Sequence, residues 1–112
     1  MTVVEDYSPI RVGDTGAKIS PVFVHKDGTP QPLDGVIITM KLIGLNTGIV
    51  KTCSNAGAGA WILDDIPNGK AHRQWQASDV DTADTWRISI TLMIDGGPLH
   101  ADERVIEILN AP

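Results

Sequence analysis

GKAHRQWQASDVDTADTWRISITLMI, residues 69–94, is the stretch whose reading decides the fold. From Trp86 onward it alternates: Trp86, Ile88, Ile90, Leu92 and Ile94 share one face, and Arg87, Ser89, Thr91 and Met93 share the other. A period of two in a β-branched run predicts a half-buried strand, and residues 86–94 are longer than the usual five or six. Residues 70–77 predict a shorter strand before it, and SDVDTAD (78–84) is a link of turn formers. Two strands joined by an acidic corner, with Trp75 and Trp86 at its two sides, form the framework of a β-sandwich.

Further strands follow on either side. AWILDDI (60–66) predicts one, turned into residues 70–77 by DIPNG (65–69). Before it, NAGAG (55–59) is flexible by composition, and IVKTCS (49–54) and VIITMKLI (36–43) pair across a GLNTG turn. In VIITMKLI the core face is Val36, Ile38, Met40 and Leu42. HKDGTPQPLDG (25–35) reads as a loop of turns. KISPVFV (18–24) is the first firm strand; Pro21 has no N–H to give a ladder, which predicts a sheet edge. Residues 1–17 read as an N-terminal arm with a short strand near 10–12. Downstream, DGGP (95–98) is a turn and RVIEIL (104–109) the last strand. The fold expected is all-β: a single Ig-like antiparallel β-sandwich of about seven strands over residues 18–112, with no helical period anywhere. Its expected core is Phe23, Ile38, Met40, Trp75, Trp86, Ile88, Ile90 and Leu92.

The chain has 112 residues, 42% of them hydrophobic and 21% charged, which suits one globular domain rather than a disordered segment. A formal net charge of −5, with no run of Lys or Arg, argues against nucleic acid as a partner. No apolar run approaches the ~18 residues of a membrane span. The opening MTVVEDYSP lacks the basic and apolar regions of a secretory signal, so synthesis and folding in a cytoplasm are expected. Cys53 is the lone cysteine, so no intrachain disulfide can form, and it reads as a small buried hydrophobe.

Candidate chemistry is sparse. DDIPNG (64–69) offers carboxylates, but an EF-hand counted from Asp64 would put Ile66 at its third position and Trp75 at its twelfth. Asp79, Asp81 and Asp84 could hold a cation or pair with Arg73 and Arg87, against the plainer reading of solvated loop charge. His25, His72 and His100 are far apart with no metal-ligand spacing. There is no G-x-S-x-G elbow, and NAGAGA lacks the third glycine of a dinucleotide cradle. No catalytic residue, cofactor or metal site is therefore expected. What remains is surface: Trp61 reads first as core and, if exposed, as an interface anchor. The acidic corner and the strand edges are the other places to dock a partner, further copies of the chain included.

The order of these features resembles a known family. KDGTPQPLDG leads into VIITMKLI; later DIPNGKAHRQWQ ends a strand in Trp, the Asp-rich SDVDTAD corner follows, and WRISITLMIDGG opens the next strand on an aromatic. The series resembles the N-terminal Ig-like domain of phage baseplate upper proteins and related small phage tail proteins, over residues 14–109. The family often has a Tyr two residues before the Trp of the fifth strand, where this chain has Arg73. The resemblance implies a non-enzymatic structural protein of a phage or prophage tail or baseplate. It would reside in the virion and dock other tail proteins through loops and strand edges. The alternative is a carbohydrate- or ligand-binding accessory sandwich, which would need a row of exposed aromatics. The chain has only five: Tyr7, Phe23, Trp61, Trp75 and Trp86.

Overall fold

The computed structural model of the chain describes residues 2–4, 10–95 and 97–110. Its strands are β1 (Thr2–Val4), β2 (Ile10–Arg11), β3 (Lys18–Ile19), β4 (Val22–Val24), β5 (Ile37–Gly44) and β6 (Val50–Thr52). They continue with β7 (Ile62–Asp65), β8 (Lys70–Gln74), β9 (Asp84–Ile94), β10 (Gly97–His100) and β11 (Arg104–Leu109). Two single-turn 3₁₀ segments, Gly57–Gly59 and Ile66–Asn68, flank β7.

These strands form two sheets. In the first, β8 is flanked by the β3–β4 run on one side and β7 on the other, with β1 outside β4. The second runs β2–β11–β9–β5–β6, with β10 continuing the β11 side of β9. Lettered in chain order, these are A-B-E-D and A′-G-F-C-C′, the strand order of an Ig-type sandwich. Among the described residues all pairings are antiparallel except that of β2 with β11, which is parallel.

β9 is the spine of the second sheet, and its alternation is the expected one. Trp86, Ile88, Ile90 and Leu92 are buried, facing the first sheet with Ile38, Met40 and Leu42 of β5. The opposing layer supplies Ile19, Phe23 and Ala71, and Trp75 closes it just beyond β8. All eight residues expected in the core are buried. Leu33 and Val80 are also fully buried, although both lie in polar-looking loops. Each plugs an end of the sandwich, tied by backbone bonds to Ile66 and to Gly13.

Several sequence expectations change. The arm is part of the sandwich: β1 pairs with β4 in the first sheet and β2 with β11 in the second. These two additions raise the count from seven strands to nine among the described residues, since β3–β4 and β10–β11 are each one interrupted run. Residues 18–24 keep one register along β8, where Ile19 faces Arg73 and Val22 faces Lys70. Pro21 breaks the formal ladder while its carbonyl still accepts the Ala71 N–H at 3.4 Å. The edge position expected from Pro21 therefore applies to β3, whereas β4 lies between β1 and β8. The final strand begins early, as β10 pairs with β9 directly after the turn. Tyr7 lies outside the described residues.

The turn into β8 depends on glycine. Gly69 has φ +70°, and a Cβ there would sit 2.6 Å from the Phe23 carbonyl oxygen. That carbonyl accepts the Gln31 N–H while the Phe23 N–H reaches the Gly69 carbonyl, so three segments meet where only glycine fits.

A candidate interaction surface

The acidic corner is the first place to look for function, because its three carboxylates lie within six residues of sequence. The fold sends them in three directions. Asp79 is buried; its carboxylate accepts Arg73 Nη1 at 2.7 Å and the Gln76 N–H at 2.8 Å. Arg73 points into the core from β8, and its Nε donates to the Gly59 carbonyl at 2.9 Å and the Ser54 carbonyl at 3.2 Å. One guanidinium therefore fixes β8, the β8–β9 loop and the glycine-rich 54–59 loop, which composition alone suggested would be flexible. Its Nη2 has no hydrogen-bond partner among the described residues. Asp79 is thereby removed from the surface and becomes a structural lock.

Asp81 pairs with Lys51 of β6, whose Nζ also donates to the Ser78 carbonyl at 2.7 Å and lies 5.1 Å from the Trp86 ring centroid. Asp84 turns to the β5–β6 hairpin. Its two oxygens accept the N–H and side-chain amide of Asn46, the N–H and hydroxyl of Thr47, and the N–H of Thr85. Five donors leave that carboxylate no lone pair for a cation. Arg87, the other cation considered for the corner, pairs instead with Glu103 at 2.8 Å.

The Asp84 environment has a consequence for pH. Desolvation raises its pKa, but the hydrogen bonds from Thr47, Asn46 and Thr85 outweigh it and hold the carboxyl well below the usual carboxylate range. A folded pKa below the unfolded one stabilises the protein above the unfolded value of about 3.9, and this contribution is lost as pH falls below it. Asp84→Asn is expected to melt at a lower temperature than the parent at neutral pH. The gap should narrow as both are titrated below about pH 4. Thermal melts by circular dichroism across that range check it; a gap independent of pH would assign the effect to shape alone.

The other candidates also resolve into structure. Trp61 precedes β7 and is half-buried against the core, so only part of its ring is available as an anchor. His72 Nδ1 meets the Asp64 carboxylate at 2.7 Å on the outer face of the first sheet. That convergence, which the sequence spacing did not suggest, follows from the β7–β8 pairing, which sets Ile62 opposite His72 with Asp64 two residues along the same face, next to a bulge between Leu63 and Asp65. His100 Nδ1 lies 3.1 Å from the Thr91 hydroxyl, outside the second sheet. Burial, with Asp79 nearby as a further cause, pushes the Cys53 thiol up to about 12, an inert state for a thiol. An open groove of about 320 Å³ runs between the β5–β6 hairpin and β11. Its walls include Asp84, already saturated, and Glu107.

With these polar groups committed internally, the feature left on the surface is apolar. Large hydrophobic side chains are exposed along β5, β6, β9 and β11, and at Ile62 and Ile66 beside β8. No protein-family model matches this chain, and no curated protein matches it.

Proposed function

We propose that the chain is a non-catalytic structural and docking protein of a phage or prophage tail or baseplate, incorporated in the virion after synthesis in the host cytoplasm. The observation that carries this reading is the fate of the polar residues. Asp79, Asp81 and Asp84 each close the sandwich on itself, while the outer strands carry exposed apolar side chains. Such a molecule acts through its surface. The resemblance over residues 14–109 points to tail proteins as partners, and the Ig-type strand order is the one that resemblance implies. The competing reading, a sugar-binding module, needs a row of exposed rings. Phe23, Trp75 and Trp86 are buried, which leaves Trp61 as the partly exposed ring among the described residues.

The test is composition of the particle. Phage-like particles induced from the strain that carries the gene are purified on a density gradient and analysed by mass spectrometry. The chain is expected to co-sediment with tails in fixed proportion to known tail proteins. Recovery only from the soluble fraction would overturn the proposal.

A further inference from the structure

Nine large hydrophobic side chains are exposed among the described residues, and seven of them belong to the second sheet and its β5–β6 hairpin. The strand registers arrange the outer face of that sheet into rows across the strands. At one end Ile37, Met93 and Pro98 stand directly opposite one another on β5, β9 and β10. Ile37 is 56% exposed and Met93 42%. Three rows along, Val50, Ile43, Arg87 and Val105 form a second line across β6, β5, β9 and β11. Val50 is 60% exposed and Val105 52%. Arg87 in this row is neutralised by Glu103 beside it. Between the apolar rows lie two polar ones, Thr39–Thr91–His100 and Lys41–Ser89.

We propose that this face binds the same face of a second copy of the chain, forming a two-fold dimer. The pattern apolar–polar–polar–apolar reads alike from either end of the strands. A two-fold axis along the strands lays each row on its own equivalent, and one across them exchanges the two end rows. Both bring apolar on apolar and polar on polar, as an isologous interface requires. A partner with a different surface would need to match two separated apolar bands; a second copy does so by construction. The size is also adequate. At about 4.8 Å between strands and about 3.3 Å per residue, four strands over the length of β5 give a flat footprint of about 20 by 26 Å. The relief of the side chains raises its accessible area toward the ~800 Å² that each partner buries in a stable complex. Sheet faces packed this way settle with their strands about 30° apart, set by twist. The backbone edges beside the face are poor alternatives. The Arg11 N–H of β2 is already taken by the Asp14 carboxylate at 2.9 Å, and β6 is three residues long. This inference stands independently of the phage reading.

The test is mass in solution. The 112-residue chain is run by sedimentation velocity over a concentration series up to about 100 μM, where a complex of micromolar affinity is well populated. Twice the 12.0 kDa chain mass is expected. Met93→Lys and Val105→Lys, each confirmed folded by circular dichroism, should weaken association about tenfold or more, as charge is forced into an apolar contact. Ile62→Lys, on the other sheet, should leave it unchanged. A monomer throughout the series overturns the proposal. So does a dimer indifferent to both second-sheet variants, or one broken by Ile62→Lys instead. Met93→Cys then locates the axis: a disulfide-linked dimer under oxidation places it along β9.

Discussion

Replacing Asp79 by alanine is expected to cost about 3–5 kcal/mol of folding stability, a large share of the roughly 5–15 kcal/mol that a domain commands. Arg73 has no solvent to turn to once its partner is removed: the whole side chain is buried, and its Nη2 already lacks a partner among the described residues. The variant would leave an uncompensated cation between the sheets and free the Gln76 N–H that Asp79 now accepts. Arg73→Ala should cost a similar amount by another route, releasing the carbonyls of Ser54 and Gly59 as well as the carboxylate. The informative variant is the double replacement Arg73→Met with Asp79→Leu. A buried ion pair repays little of the cost of desolvating it, so an apolar pair of similar volume should recover most of the loss, and a double-mutant cycle in urea should show strong coupling. Additive losses would mean that the two residues act separately, the guanidinium as a loop clamp and the carboxylate as a turn cap.

That pair also marks where the sequence stopped being legible. Alternation identified the cores of β5 and β9 because a half-buried strand prints its burial on every second residue: Ile38, Met40, Leu42, Trp86, Ile88, Ile90 and Leu92 are buried as expected, while Val36 and Ile94, at the ends of the two runs, are partly buried. The same rule has little to read in β1, β2 and β10, which are two to four residues long, so the N-terminal strands passed for an arm. Leu33 and Val80 were illegible for a related reason: each is a single apolar residue among turn formers, and burial of a loop plug depends on the end of the sandwich it closes. Arg73 has period-two phase with buried Ala71, but its charge argued for the opposite face. The Asp79–Arg73 pair was one of three readings open for the corner, beside a cation site and solvated loop charge, and choosing among them requires the depth of β8. The surface rows were the least legible. Arg87, Ser89, Thr91 and Met93 read as a solvent face on β9 alone, and their division into apolar and polar bands appears only when registers set Met93 beside Ile37 and Arg87 beside Ile43 and Val105.

Trp86→Ala should be the other severe lesion, at about 3–5 kcal/mol for a large buried aromatic. Its ring is fully buried and does three things that a smaller side chain cannot. It fills the core beside Ile106, its neighbour on β11, its Nε1 donates to the Thr82 carbonyl at 3.1 Å, and its face lies under the Lys51 ammonium. The cavity would open beneath Gly44, which pairs with Trp86 across β5 and β9 at the base of the hairpin. Trp86→Phe separates the contributions. It keeps much of the volume and loses the N–H, so it should cost about 1–2 kcal/mol, the range for an unmet hydrogen bond with partial loss of packing. Trp61→Ala, at a half-buried position, should cost less than Trp86→Ala. Urea unfolding measures all three, with an unchanged m-value showing that native compactness is kept. The ordering has a further reading in the dimer. Ile43 and Arg87 stand on the outer face one residue from Gly44 and Trp86, so a core cavity there should loosen the row that meets the second copy. Trp86→Ala should therefore weaken association as well as folding, while Trp61→Ala leaves association intact. If Trp86→Ala loses stability and associates as tightly as the parent, the Ile43–Arg87–Val105 row lies outside the contact, and the interface is confined to the Ile37–Met93–Pro98 end.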